Sequence, residues 1–166
     1  DCRVGLVTKA WKHPESAKLL CEEIDVGEGA PRPIASGLQA FYRPEEFQGK
    51  RVVVVCNLKP AKLGGYTSNG MVLCASWTDD AGAPAVRLLE PPPEAKVGER
   101  VIVRGLALGA PLTAAQVKKR KVFETVATKL ALLPGGVASY DGASLVAADC
   151  GRECVVTGGK PGAPIS

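Results

Sequence analysis

Residues 57–71 gather the groups most able to contact a polyanion: Asn57-Leu58-Lys59-Pro60-Ala61-Lys62-Leu63-Gly64-Gly65-Tyr66-Thr67-Ser68-Asn69-Gly70-Met71. Lys59 and Lys62 carry ammonium groups that can approach phosphates. Asn57, Ser68 and Asn69 offer donors and acceptors suited to sugar or base edges. A solvated loop is the plainer reading of the same composition. A second basic run, Lys118-Lys119-Arg120-Lys121, follows later in the chain. Consecutive helical residues fan out by ~100° each, so only some of these could face one RNA, and such a run also describes a solvated helix face.

Residues that could support catalysis are scarce. His13 is the only histidine, and it sits between Lys12 and Pro14 with no spacing signature around it. A Ser-His-Asp or Cys-His arrangement would have to use it, and a turn-forming or capping role explains it better. Lys62-Leu63-Gly64-Gly65 lacks the order of a phosphate-binding loop. Glu22-Glu23 and Asp79-Asp80 are adjacent pairs, whose side chains point apart in a strand or turn. The six cysteines, at positions 2, 21, 56, 74, 150 and 154, include no CxxC pair. With one histidine they do not suggest a zinc site. Cys21, Cys56 and Cys74 lie in apolar runs, where cysteine serves as a small hydrophobe. Free thiols in a reducing, cytoplasmic setting are expected, with no metal, no cofactor and no catalysis.

The elements that must position these residues read as short strands. Hydrophobic residues make up 46% of the 166, charged residues 23%, and 19 Gly and 13 Pro supply turns. The net charge of +4 permits a polyanionic partner if the charges cluster, but does not demand one. No signal peptide opens the sequence, and no apolar run nears the ~20 residues of a membrane span. Because the first residue is Asp1, the sequence reads as part of a longer protein.

Strands are expected at Arg3–Ala10, Leu20–Val26, Ile34–Leu38, Arg51–Asn57, Ser68–Ser76, Ala85–Leu89 and Glu99–Arg104. Helical turns are expected at Pro14–Lys18 and Pro44–Phe47, and a loop over Lys59–Gly65. Val52-Val53-Val54-Val55-Cys56 has the continuity of a strand buried on both faces. Short strands without a βαβ rhythm suggest a small closed barrel of the OB type. Beyond it, Thr113-Ala114-Ala115-Gln116 has capping-box spacing. Val122, Phe123, Val126, Ala127, Leu130 and Leu133 follow at helical intervals until Pro134-Gly135-Gly136. Strand-like pieces are expected at Val137–Tyr140, Leu145–Ala148 and Cys154–Thr157. This second part is small for an independent domain and is expected to pack on the barrel.

Several of these segments together resemble the tRNA-binding domain family of endothelial monocyte-activating polypeptide II. They are Arg3-Val4-Gly5-Leu6-Val7, Lys12-His13-Pro14, Glu23-Ile24-Asp25-Val26-Gly27, Ala35-Ser36-Gly37-Leu38, Asn57-Leu58-Lys59-Pro60 and Gly70-Met71. The likeness continues through Lys119-Arg120-Lys121-Val122-Phe123-Glu124 and Val137-Ala138-Ser139-Tyr140-Asp141-Gly142, so it covers nearly the whole chain. That family includes C-terminal modules of methionyl- and tyrosyl-tRNA synthetases and stand-alone synthetase cofactors.

The resemblance implies a mainly β chain with an OB-fold tRNA-binding domain over residues 1–104. Residues 105–166 would form an α+β extension that packs on the barrel and imitates the dimer interface of shorter relatives, leaving this unit monomeric. It implies a non-catalytic, structure-selective tRNA binder that supports an aminoacyl-tRNA synthetase, fused or in complex. RNA contacts would fall at Lys18, Asn57, Lys59, Lys62, Ser68 and Met71, with secondary contacts at Lys118, Lys119 and Arg120. The lysines would meet phosphate, Asn57 and Ser68 would hydrogen-bond, and Met71 would lie beneath a base unless it packs in the core. One departure is visible: the family usually has Arg-Gly where this chain has Gly64-Gly65, which removes a bidentate phosphate contact.

Two other roles are open. The extension could be the docking face of a scaffold that holds synthetases in a complex. Arg3-Val4-Gly5-Leu6-Val7-Thr8 also resembles the segment linked with cytokine-like signalling in the family, although it reads equally as a first strand.

Overall fold

β1 (Cys2–Lys12) is eleven residues long and is the hub of the structure, a computed structural model that describes residues 1–166. From Leu6 to Lys12 it pairs antiparallel with β2 (Leu20–Asp25), and β2 pairs with β3 (Arg32–Ser36). The helical turn α1 (Pro44–Phe47) follows, with Pro at its start and two acids in its first turn, as expected of a helix N-terminus. The chain then returns as β4 (Arg51–Val55), which pairs with Cys2–Leu6 of β1. A register shift between Val7 and Lys9 lets β1 bend as it changes partners.

Next come the hairpin β5 (Ala61–Leu63) and β6 (Tyr66–Ser68), the two-residue β7 (Met71–Val72), and the hairpin β8 (Cys74–Thr78) and β9 (Pro84–Leu88). β10 (Arg100–Val103) pairs with the start of β1. Helices α2 (Ala114–Lys119) and α3 (Val122–Ala127) lead to β11 (Leu130–Leu132), β12 (Ala138–Tyr140) and β13 (Ala143–Ala147). β13 pairs with β10, so the last third of the chain extends the sheet begun by the first. The result is a mainly β chain with a nine-stranded antiparallel sheet.

Strand periodicity explains the two cores. Val52 and Val54 face one cluster with Val7, Leu20, Ile24, Ile34 and Phe47, while Val53 and Val55 face another with Val4, Leu73, Leu89, Leu130, Leu132 and Ile165. Alternate side chains of a strand point to opposite faces, so a run of four valines can fill both cores. Each such fully buried side chain stabilises the fold by ~1.5–3 kcal/mol. Gly5 leaves room for this packing: a Cβ there would lie 2.7 Å from Ile24 Cγ2. Arg3–Thr8 is thus ordinary strand, with Val4 and Val7 buried.

The expected closed barrel is not found. The ladder runs β3-β2-β1-β4-β7 and stays open between β3 and β7. The Asn69 N–H to Pro33 O bond at 2.8 Å, the Arg32 guanidinium to Asn69 O bond at 3.0 Å and the Ser68 hydroxyl span that gap. The cause lies in the stretch expected as one strand, Ser68–Ser76. It breaks at Asn69-Gly70 and again at Leu73 into β6, β7 and β8. Gly70 sits where a Cβ would come within 3.0 Å of Ile34 Cδ1, so the break is packed against the core.

Two further expectations need correction. Pro14–Lys18 forms turns and not a helix. The continuous helix expected after Thr113 is two short ones. The Thr113 capping box does form, but Lys121 adopts a left-handed φ of 50° that ends α2. Leu130 belongs to strand β11.

Candidate nucleic-acid interface

Lys59–Gly65, expected as a loop, contains one arm and the turn of the β5–β6 hairpin. Its two-residue turn is Gly64-Gly65, with φ of +56° and +84°. Positive φ at both central residues is the mark of a type I′ hairpin turn, and glycine adopts it without steric cost. The register pairs Lys62 with Thr67 and Leu63 with Tyr66. Lys62 and Thr67 are exposed, whereas Tyr66 and Ser68 turn toward the body of the protein.

Three contacts hold the hairpin. At its tip, Gly64 lies against the His13 ring and near Leu19, so the β1–β2 turn supports it. Midway, Tyr66 meets Trp11 in an edge-to-face contact with centroids 6.0 Å apart. At its base, the Ser68 hydroxyl accepts from Ala35 N–H and donates to Gly70 O, both at 3.0 Å. His13 itself is buried, and its Nδ1 accepts from Glu15 N–H at 3.1 Å. That is a turn-building role, with no nucleophile or carboxylate among its hydrogen-bond partners.

The residues implied by the resemblance divide into two groups. Lys18, in the β1–β2 turn, Lys59, in the loop after β4, and Lys62, on the hairpin, are all exposed and form no ion pair. The supported hairpin tip brings Lys62 and the turn bearing Lys18 into one region. Lys59 borders a cleft with Lys118 of α2, lined also by Leu58, Val117, Phe123 and Glu124. Lys119 ends α2 and Arg120 caps it; both are exposed and free of ion pairs.

Asn57, Ser68 and Met71 are engaged internally. Asn57 Oδ1 accepts from the backbone nitrogen of Asp1 at 2.8 Å, and Nδ2 donates to Leu112 O at 2.9 Å. Ser68 is buried, and Met71 packs against the core cluster of Val53 and Val55.

Several other cations are neutralised inside the chain. Arg3 and Arg32 both bind Glu28, at 3.0 and 2.7 Å. The Arg32 hydrogen bond holds the Glu28 carboxyl below its usual range, and the same bond raises Arg32. All six cysteines are free thiols. Burial pushes Cys74 and Cys154 up to about 12, which leaves them unreactive. The arrangement is one of binding: exposed cations on turns, with no activated nucleophile.

Sequence reasoning passed over Lys9, Trp11 and Tyr66. Lys9 Nζ lies 5.1 Å from the centre of the Trp11 ring. The signal was present in the spacing, because residues two apart on a strand share a face. No helix is long and apolar enough to cross a membrane.

Comparison with known proteins gives a consistent picture. Residues 2–100 match the family described as "Putative tRNA binding domain". A probable methionine–tRNA ligase of Oryza sativa subsp. japonica is 47% identical over 130 residues, which cover 78% of this chain and 16% of the ligase. The cytoplasmic tyrosine–tRNA ligase of Gallus gallus is 49% identical over 125 residues, covering 75% of this chain and 23% of the ligase. The chain therefore spans less than a quarter of either ligase. Among solved structures, the C-terminal domain of Plasmodium vivax p43 superposes with a TM-score of 0.86 at 32% identity, over 99% of this chain and 95% of that one.

Proposed function

The chain belongs to the tRNA-binding domain family, and on that premise we propose that it is a non-catalytic, structure-selective tRNA-binding module that supports an aminoacyl-tRNA synthetase, fused to it or in complex. The observation that carries this reading is the set of exposed, unpaired lysines on the β1–β2 turn and the β4–β6 segment. Lys18, Lys59 and Lys62 all fall within the matched residues. Unpaired lysines on turns can neutralise phosphates without first breaking an internal ion pair. In this reading Lys18, Lys59 and Lys62 meet phosphate, with Lys118, Lys119 and Arg120 as a second patch across the Lys59 cleft. Asn57, Ser68 and Met71 act by holding the segment that carries the lysines.

Residues 1–104 are read as an OB-type module whose open edge is bridged by Ser68 and Asn69. Residues 105–166 are its extension, which occupies the place of a dimer partner and leaves this unit monomeric in the cytoplasm. The test is an affinity titration against folded tRNA, duplex DNA of similar charge and unfolded RNA at several salt concentrations. Preference for folded tRNA with a steep salt slope is the expected result. No measurable tRNA affinity at low salt would overturn the reading.

One observation favours a second reading, a scaffold for synthetases. An apolar cleft of about 320 Å³ lies between β10, residues 106–112 and helices α2 and α3. Leu106 and Leu108 beside it are 59% and 53% exposed. If tRNA affinity is absent, co-purification of a synthetase that is lost in Leu106→Asp and Leu108→Asp would support this role. Signalling after proteolytic release has no comparable feature in its favour, because Arg3–Thr8 lies within β1, which pairs with β4 up to Leu6 and with β2 from Leu6 on.

A further inference from the structure

The chain contains two Trp, three Tyr and three Phe. Six of these eight aromatic residues belong to a core cluster or pack against one: Phe41, Tyr42, Phe47, Trp77, Phe123 and Tyr140. Trp11 and Tyr66 are the two that do not, and they contact each other. Both are partly exposed. Their placement needs an explanation other than core packing, since neither ring joins a core cluster.

Lys9, two residues before Trp11 on the same face of β1, lies over the Trp11 ring. Lys9 is exposed and is not ion-paired. Glu23, opposite Lys9 in the β1–β2 register, is partly exposed and makes no ion pair with it. The rings are also well anchored. Trp11 is held in the ladder opposite Cys21, and Tyr66 sits between a hairpin tip leaning on His13 and a base held by Ser68.

We propose that Trp11 and Tyr66, with Lys9 over the Trp11 ring, form a stacking seat for one unpaired nucleobase of the bound RNA. The inference rests on the tRNA-binding reading above and names a contact within it. A nucleobase offers a flat π-face to an indole, and any of the four bases does so, which suits a binder selective for structure over sequence. In the free protein the Lys9 ammonium covers the ring by a cation–π contact. When a base takes that place, Lys9 swings to a phosphate beside it. Paired bases are already stacked on each other, so the seat selects unpaired nucleotides, such as those in loops and at ends.

The test uses Trp77→Phe, which leaves Trp11 as the only tryptophan. The probes are an RNA hairpin with a single-stranded loop and a blunt RNA duplex of equal charge. The expected results are quenching of Trp11 emission by the hairpin but not by the duplex. Trp11→Ala is expected to weaken hairpin binding about tenfold with an unchanged salt slope, while Trp11→Phe keeps most of the affinity. Because the quenching is read on a protein that retains Trp11, misfolding of Trp11→Ala does not remove the test. Equal quenching by both probes, or no quenching with Trp11→Ala binding normally, overturns the seat. If Lys59→Ala with Lys62→Ala still weakens binding in that case, RNA binding itself stands. Failure of the wild-type protein to bind any RNA would overturn both.

Discussion

Gly64 packs against His13 so closely that a Cβ at position 64 would lie 3.0 Å from both Cε1 and Nε2 of the imidazole. The glycine also has a φ of +56°, where an L-residue costs roughly 1–2 kcal/mol. The hairpin tip therefore fits tightly onto the β1–β2 turn. Gly64→Ala is expected to lower stability by about 1–2 kcal/mol in urea unfolding. In the double variant with His13→Ala, about 0.5–1 kcal/mol of that cost should be recovered, because the two sites touch. Strict additivity in the double-mutant cycle would show that the fit is loose.

Lys59→Ala with Lys62→Ala is expected to weaken binding to all tRNAs by similar factors. The slope of log affinity against log salt should flatten by about one to two units, the signature of one or two lost phosphate contacts. Unfolding midpoints should stay unchanged, since neither side chain is paired or buried. Equal binding by variant and wild type would move the contact surface elsewhere, with the Lys118–Arg120 patch the next to test.

Ser68→Ala separates a framing role from an RNA-contacting one. The hydroxyl serves Ala35 N–H and Gly70 O across the open edge between β3 and β7. Its removal leaves a buried donor unsatisfied, which costs about 1–3 kcal/mol. The expected outcome is a lower unfolding midpoint, with tRNA affinity near wild type at temperatures where the variant remains folded. A large loss of affinity with normal stability would instead make Ser68 a direct contact.

The legible and illegible parts of the sequence differ in a physical way. Val52–Val55 announced a strand buried on both faces, because unbroken apolar β-branched residues have no solvated side to present. The α1 start was readable from Pro44 and the two acids after it. The β5–β6 hairpin was not, because three-residue strands are too short to show alternation. Nor was the break at Lys121, since a left-handed residue there carries no glycine or asparagine to mark it. The exposed lysines of the candidate site could be picked out from residue type alone. The roles of Asn57 and Ser68 could not, because their partners, Leu112 and Ala35, are distant in sequence.

Glu22 sets a pH dependence that can be measured without any RNA. Its side chain is fully buried between Leu20 and Ile24 on β2, where Oε1 accepts from the Ser36 hydroxyl and Oε2 has no partner. Burial raises the carboxyl from 4.5 to about 8, against the smaller opposing effect of the Ser36 bond. Between those values the folded protein holds a proton that the unfolded chain has released. Stability from this group is therefore fully present below the unfolded value, falls as pH rises through that window, and levels off above about 8. At ~1.4 kcal/mol per unit of pKa difference, the loss amounts to several kcal/mol. Glu22→Gln keeps a neutral polar group of similar shape at all pH values. Urea unfolding at pH 5 and pH 8.5 should show wild type losing stability relative to Glu22→Gln as pH rises. Parallel profiles for the two proteins would mean that Glu22 ionises freely in the fold, through a water path or a local opening of the β3–β7 edge.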